Sequence, residues 1–110
     1  MNVNHIIEDK TLIFEITEEV DHHIAERIRK RADYEIQRFM PKKVVFDFKR
    51  VNFMDSAGIG LILGRYKQAE MYGGKLELIN VSEKLKRIFE MSGILRIIKI
   101  TDKENIKKIS

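Results

Sequence analysis

The sequence predicts an α/β fold in which helices pack on a mixed, mostly parallel sheet, with the element order β-β-α-β-α-β-α-β-α. Two short β-branched segments open the chain, strand-like and helix-like hydrophobic periods then alternate, and capping residues separate them. Strands that alternate with helices need crossover connections, which produce parallel strand pairs. Because 110 residues suffice for one hydrophobic core, we expect a single domain over residues 1–110.

The first half of the chain is expected to contain a hairpin, a helix and a core strand. VNHII and TLIFEIT, joined by a polar turn, predict two hairpin strands. From Asp21, the expected N-cap, apolar residues recur every four positions and predict a helix that ends at Pro41. These apolar residues are Ile24, Ile28, Ala32, Ile36 and Met40. KVVFDFK carries apolar residues on both faces, as a central strand does.

The next helix and strand follow a polar junction after KVVFDFK. The apolar spacing i, i+3, i+4 and i+7 predicts a helix that ends at the Gly73-Gly74 pair. The residues with this spacing are Ile59, Ile62, Leu63 and Tyr66. KLELINV then predicts a further strand.

The C-terminal quarter is expected to form a helix, a strand and a last helix. Ser82 is the predicted N-cap of a short helix that ends at Gly93. RIIKI predicts the last strand. A final short helix is expected from Asp102, with Ile106 and Ile109 on one side.

The composition is that of a soluble globular protein, with 44% hydrophobic and 35% charged residues. No stretch approaches the roughly 18 apolar residues of a membrane span, and MNVNHIIEDK does not have the order of a signal peptide. Because cysteines are also absent, we expect a cytoplasmic protein without a membrane partner. The net charge of +4 raises the question of nucleic acid, but basic and acidic residues alternate along RIRKRADYEIQR, which is typical of solvated helix faces. We therefore expect no direct nucleic-acid partner.

The junction Asp55-Ser56-Ala57-Gly58 within FMDSAGIGLILG is the main candidate site. It follows the third predicted strand and begins a helix, so right-handed crossovers place it at the carboxyl edge of the sheet. Open α/β sheets carry their functional sites at this edge.

Two of the three chemistries that could use this junction are disfavoured. The glycine run Gly58, Gly60 and Gly64 is one residue longer than a dinucleotide fingerprint and has no P-loop lysine, so we expect no cofactor. M-D-S-A-G also departs from the G-x-S-x-G elbow of hydrolases. The three histidines, His5, His22 and His23, have no metal-ligand spacing, and neighbouring helix positions point to different sides. We expect neither an enzyme nor a catalytic or metal-binding residue.

The third chemistry makes Ser56 a substrate. A hydroxyl at a helix N-terminus accepts a phosphate with little cost to the fold, because free N–H groups and the helix dipole stabilise the added charge. Two negative charges beside Asp55 would then repel a docked partner. A purely structural role, in which Ser56 or Asp55 caps the helix, accounts for the same residues equally well.

FMDSAGIGLILGRYKQ closely resembles the phosphorylation-site segment of the bacterial anti-sigma factor antagonists, specifically those of the stage II sporulation type, within a STAS-domain pattern. The resemblance extends to DHHIAERI, to YGGKLELINVS and to KLKRIFEMSGILRIIKI, and so covers the chain from about Leu12 to Ile100. It implies that the unphosphorylated protein binds an anti-sigma factor that is also a serine kinase and so releases the sporulation sigma factor. The kinase then phosphorylates the motif serine, which is Ser56 here, and a serine phosphatase restores the protein.

Physical reasoning suggests a role for several residues at this edge. We expect Asp55 to orient the turn and help cap the helix, Gly58 to let the kinase approach the backbone, and Asp21, at the start of the first helix, to border the same docking edge. The partner-binding residues are then Asp21, Asp55, Ser56, Ala57, Gly58 and Ile59. A surface centred on Ile59 and Leu61 is a further hypothesis, and both residues are equally suited to the core.

The chain departs from the family pattern at two positions. Ala57 stands where the family has a second hydroxyl residue, and Glu18 stands where it usually has a glycine. The alternative interpretation is a STAS module of another partner-switching pathway, such as the general stress response. A monomer is the expected state.

Overall fold

The computed structural model describes residues 1–101 of the chain. Its elements are β1 (Asn2–Ile6), β2 (Thr11–Glu15), α1 (His22–Phe39), β3 (Lys43–Asp47), α2 (Ser56–Met71), β4 (Lys75–Ile79), α3 (Glu83–Ser92) and a 3₁₀ turn (Ile94–Arg96). This order confirms the expected sequence of elements up to α3.

The four strands form one mixed sheet in the order β1-β2-β3-β4. β1 is antiparallel to β2, whereas β2, β3 and β4 are parallel, which confirms the predicted hairpin and crossovers. Phe14, Phe46 and Leu78 lie opposite one another in this register and are fully buried, so they form a ladder on one face of the sheet. On β3 the neighbouring Val45, which points to the other face, is also fully buried. The prediction of a strand covered on both sides is therefore confirmed.

Helix α1 begins and ends where the sequence predicts. Asp21 is the N-cap, and Met40 adopts a left-handed conformation (φ 48°) whose N–H donates to the Ile36 carbonyl at 2.8 Å, immediately before Pro41. The buried residues of the helix are Ala25, Ile28, Ala32 and Ile36. Met40 was expected on this apolar face but is 54% exposed, because the chain leaves the helix there.

Helix α2 buries a different stripe from the one that its apolar spacing predicts. The buried residues are Gly58, Leu61, Ile62, Arg65 and Ala69, whereas Ile59, Leu63 and Tyr66 are only partly buried. The first two turns are apolar on nearly every side, so hydrophobic periodicity does not determine which side faces the sheet. Contact with β4 and α1 determines it.

The prediction of a fifth strand at RIIKI is wrong. Gly93 ends α3 with φ 82°, as expected, but the chain continues into the 3₁₀ turn, where Ile97 donates to the Ile94 carbonyl at 3.0 Å. Ile94 and Ile98 are both buried, and their spacing of four suits a helical turn better than a strand. Only Ile100 forms an isolated parallel bridge, to Leu78. The helix expected from Asp102 lies outside the described residues.

Candidate functional site

The N-termini of α1 and α2 lie side by side at the carboxyl edge of the sheet. Val20 and Met54 form a parallel bridge, in which the Val20 N–H donates to the Phe53 carbonyl at 3.2 Å and the Asp55 N–H donates to the Val20 carbonyl at 3.1 Å. The next residue after each bridge position, Asp21 or Asp55, caps a helix. The sequence predicts the place of the Asp55 junction, and the pairing brings Asp21 beside it.

Both helix N-termini are capped by an aspartate carboxylate. One oxygen of Asp55 accepts from the Ala57 N–H at 2.9 Å and the Gly58 N–H at 3.3 Å. Asp21 accepts from the Ile24 N–H at 2.9 Å, and this hydrogen bond holds the pKa of the Asp21 carboxyl below its usual range. The expected roles of both aspartates as caps are confirmed.

Ser56 is the first residue of α2, and its side chain is exposed. Within residues 1–101 its hydroxyl takes part in no side-chain hydrogen bond, because Asp55 already accepts from the N–H groups that a cap would bind. Of the two residues that could cap α2, the structure therefore assigns this role to Asp55. Ser56 is exposed, and its hydroxyl remains available for chemistry.

The burial of the residues after Ser56 differs from what the sequence predicts. Gly58 is buried, and a Cβ at this position would lie 2.8 Å from the Met54 Cβ and 2.9 Å from the Met54 sulfur. Its small size therefore makes room for Met54, and it does not expose backbone to a kinase as we expected. Leu61 is a core residue with 5% exposure, whereas Ala57 and Ile59 are half-buried. Of the two residues proposed as the centre of a surface, only Ile59 is accessible.

A groove runs between α1 and α2 from the position next to Ser56. It has a volume of about 510 Å³, and its lining includes His22, His23, Arg29, Ala57, Gly60 and Leu61. The prediction that the two histidines point to different sides is wrong, because their ring centroids are 3.9 Å apart. Both histidines lie in the first turn of α1. No pattern in the sequence indicated this groove, since it depends on how two distant helices pack.

Charged side chains connect the two helices below the groove. The buried Arg65 on α2 pairs with Asp33 on α1 at 3.2 Å, and Arg29 donates to the other oxygen of Asp33, also at 3.2 Å. Arg29 also forms two hydrogen bonds with Glu26. Burial lowers the pKa of the Arg65 guanidinium below its usual range, although the charge of Asp33 opposes this effect. Asp33 is therefore the group that compensates a charge buried between the helices.

Replacing Asp33 with asparagine is expected to lower the free energy of unfolding by about 2 to 3 kcal/mol, because Arg65 would keep a buried charge without a counterion. Urea unfolding at pH 7 measures this loss. The double variant D33N/R65M should recover most of it, since a methionine of similar length removes the buried charge. A double variant as unstable as D33N alone would contradict this account.

Within residues 1–101, no group of three metal-binding side chains comes together, and no helix is long and apolar enough to cross a membrane. The sheet order, the opening hairpin and the paired helix N-termini define the class of the protein, a small single-sheet α/β domain with STAS topology. The chain belongs to the STAS domain family, whose model matches residues 2–105.

Curated proteins and solved structures add more specific likenesses. The chain is 39% identical over 93 residues to the anti-sigma F factor antagonist of Paenibacillus polymyxa, an alignment that covers 84% of this chain and 80% of the relative. It is 44% identical over 55 residues, half of each chain, to the anti-sigma-B factor antagonist of Bacillus subtilis. The solved structure of the anti-sigma factor antagonist SpoIIAA in its unphosphorylated form superposes with a TM-score of 0.79 at 29% identity, covering 94% of this chain and 90% of that one. These likenesses agree with the family that the sequence resembles.

Proposed function

We propose that this chain is an anti-sigma factor antagonist that is switched by phosphorylation of Ser56. Its unphosphorylated form binds an anti-sigma factor that is also a serine kinase, and this binding releases the sporulation sigma factor. Phosphorylation by the kinase ends the interaction, and a serine phosphatase restores the binding form. Because these partners act on transcription, the proposal places the protein in the cytoplasm.

The exposure of Ser56 carries this proposal. Ser56 is the exposed first residue of α2, while the neighbouring Asp55 supplies the cap. A phosphoryl group can therefore be added without breaking a hydrogen bond of the fold. Ala57 removes the second hydroxyl of the junction, so only one acceptor remains there.

The transfer itself requires little of this chain beyond position and access. The Ser56 oxygen forms a bond to the γ-phosphorus of ATP, the bond from that phosphorus to the bridging oxygen breaks, and ADP leaves. The hydroxyl proton passes to a base on the kinase. The product carries about −1.5 to −2 charges at neutral pH, and the dipole of α2 stabilises them on this chain.

The same charges explain how phosphorylation ends binding. Ser56 must face the nucleotide of the kinase in order to react, so the product phosphate faces the anionic phosphates of the next nucleotide. Around it, Asp21, Asp55, Ala57 and Ile59 form the accessible part of the proposed docking edge. Gly58 contributes by giving this edge its shape, since it lies buried against Met54.

Incubation with an anti-sigma kinase and ATP tests the proposed function. Intact-mass spectrometry should show one added phosphate, and peptide mapping should place it on Ser56. The S56A variant should gain none, whereas S92A, which removes an exposed serine at the C-terminal end of α3, should be modified like the unaltered protein. A folded protein that receives no phosphate from a kinase active on its own antagonist would reject the proposal.

A second candidate is an antagonist of the general stress response. The 44% identity to an anti-sigma-B factor antagonist favours it, although that alignment covers half of the chain. Parallel assays with an anti-sigma F kinase and an anti-sigma-B kinase distinguish the two candidates by which enzyme modifies Ser56 faster. Size-exclusion chromatography with light scattering tests the predicted monomer.

A further inference from the structure

Phe53 is an exposed aromatic residue at the docking edge, three positions before Ser56. It is 52% exposed, although the flanking Met54 is almost completely buried. Aromatic residues frequently dominate the binding energy of protein interfaces, so a half-exposed phenylalanine this close to Ser56 is a candidate contact residue. No pattern in the sequence indicated Phe53 as a site residue.

The backbone around Phe53 is held firmly against the neighbouring segment. Its carbonyl accepts from the Val20 N–H, the Asn52 N–H donates to the Glu19 carboxylate at 3.0 Å, and the Asp55 N–H donates to Val20. These three hydrogen bonds lie on both sides of Phe53 in sequence. A side chain carried on such a fixed backbone loses little further freedom when a partner covers it.

Four acidic residues flank the bridge that lies beside Phe53. The acidic collar consists of Glu18, Glu19, Asp21 and Asp55, which the bridge between Val20 and Met54 brings together. Arg27 pairs with Glu18 at 3.1 Å and offsets one of these charges. The chain carries a net charge of +4, and these four carboxylates are a concentration of negative charge on it, although Lys49 and Arg50 precede Phe53 by four and three positions.

We propose that Phe53 is the apolar anchor of the partner interface and that it enters an apolar cleft of the anti-sigma kinase bordered by lysine or arginine side chains. The charge of the collar argues for that border, because complementary charges steer docking and fix its orientation. Because Phe53 lies three positions before Ser56, this contact is continuous with the docking edge around Ser56. This inference rests on the proposed function and adds the chemistry of the partner surface.

A basic border on the partner is compatible with release after phosphorylation, because the two effects act at different places. The acidic collar faces the surface around the kinase active site, whereas Ser56 faces the anionic nucleotide inside it. Removing Phe53 should therefore weaken binding of the unphosphorylated protein, whereas removing the Ser56 hydroxyl should not.

Titration calorimetry with the purified anti-sigma kinase and ADP tests the anchor. The F53A variant should bind about 30-fold more weakly than the unaltered protein, as expected for an interface hot spot. M91A is the matched control, since Met91 is 89% exposed on α3 and its removal should leave the affinity within about twofold. Circular dichroism melting of both variants should match that of the unaltered protein.

The charges of the collar are tested by salt and by one substitution. Binding should weaken as sodium chloride rises from about 50 to 500 mM, because salt screens exposed charges. E18Q should bind about threefold more weakly at low salt, whereas E90Q, which changes an exposed glutamate on α3, should not. Affinity that is independent of salt would overturn the basic border.

The outcomes separate this inference from the function on which it rests. If the kinase binds and phosphorylates the unaltered protein but binds F53A equally well, Phe53 is not the anchor of the interface, and the proposed function stands. If the unaltered protein is neither bound nor phosphorylated by either kinase, the proposed function fails, and this inference fails with it. Unchanged phosphorylation of F53A at low kinase concentration would likewise count against the anchor.

Discussion

Replacing Ser56 with aspartate is expected to weaken binding to the anti-sigma kinase by about 100-fold, which corresponds to about 2.7 kcal/mol. The added carboxylate faces the nucleotide phosphates of the kinase, and like charges brought together at an interface cost several kcal/mol. The melting temperature should stay the same or rise slightly, because an acidic residue in the first turn of α2 interacts favourably with the helix dipole. Titration calorimetry and circular dichroism measure the two quantities.

Asparagine at position 56 provides the matched control, since it has nearly the shape of aspartate without the charge. S56N should lose less than about tenfold in affinity if charge is the main cause of release. Equal losses for the two variants would show that volume, not charge, excludes the partner. A large fall in the melting temperature of S56N would instead indicate that Ser56 has a structural role, which the cap formed by Asp55 argues against.

Replacing Gly58 with alanine is expected to destabilise the protein by about 2 kcal/mol, even though alanine favours helices. The new Cβ would lie 2.8 Å from the Met54 Cβ, which cannot move without breaking the bridge between Met54 and Val20. The shift would also displace Phe53 and Asp55, so we expect weaker kinase binding in the same variant. Urea unfolding measures the loss of stability.

Two other glycines of α2 make this prediction specific. A Cβ at Gly60 or Gly64 would meet no atom within 4 Å, so G60A and G64A should raise the free energy of unfolding by up to about 1 kcal/mol. Replacing glycine with alanine is thus expected to lower the free energy of unfolding at position 58 and to raise it at positions 60 and 64 of the same helix. If G58A is as stable as G60A, Met54 can move aside and the packing role of Gly58 is wrong.

Features that depend on a few neighbouring residues were predictable from the sequence. The caps formed by Asp21, Asp55 and Ser82 and the left-handed end at Gly93 each involve hydrogen bonds to groups no more than four positions away. Their geometry therefore follows from local chemistry, whatever the rest of the fold does. The same is true of the hairpin between β1 and β2, whose strands are adjacent in the chain.

Predictions failed where a segment is uniformly apolar. The start of α2 could bury several stripes, and the RIIKI segment could form a strand or a turn, because hydrophobicity alone does not distinguish these choices. The surrounding structure makes the choice. Arg65 faces inward because Asp33 on α1 supplies its counterion, and Ile98 is buried four positions after Ile94, in register with a helical turn.

The sequence by itself determined the α/β class, the element order up to α3 and the serine at the start of α2, because each depends on local periods, caps and a short motif. Only the tertiary structure decided that the segments before Asp21 and Asp55 pair through Val20 and Met54, that Gly58 makes room for Met54, and that Phe53 stands exposed beside the acidic collar. The physical reason is the bridge between Val20 and Met54. It joins segments more than thirty positions apart, and no local pattern specifies that pairing.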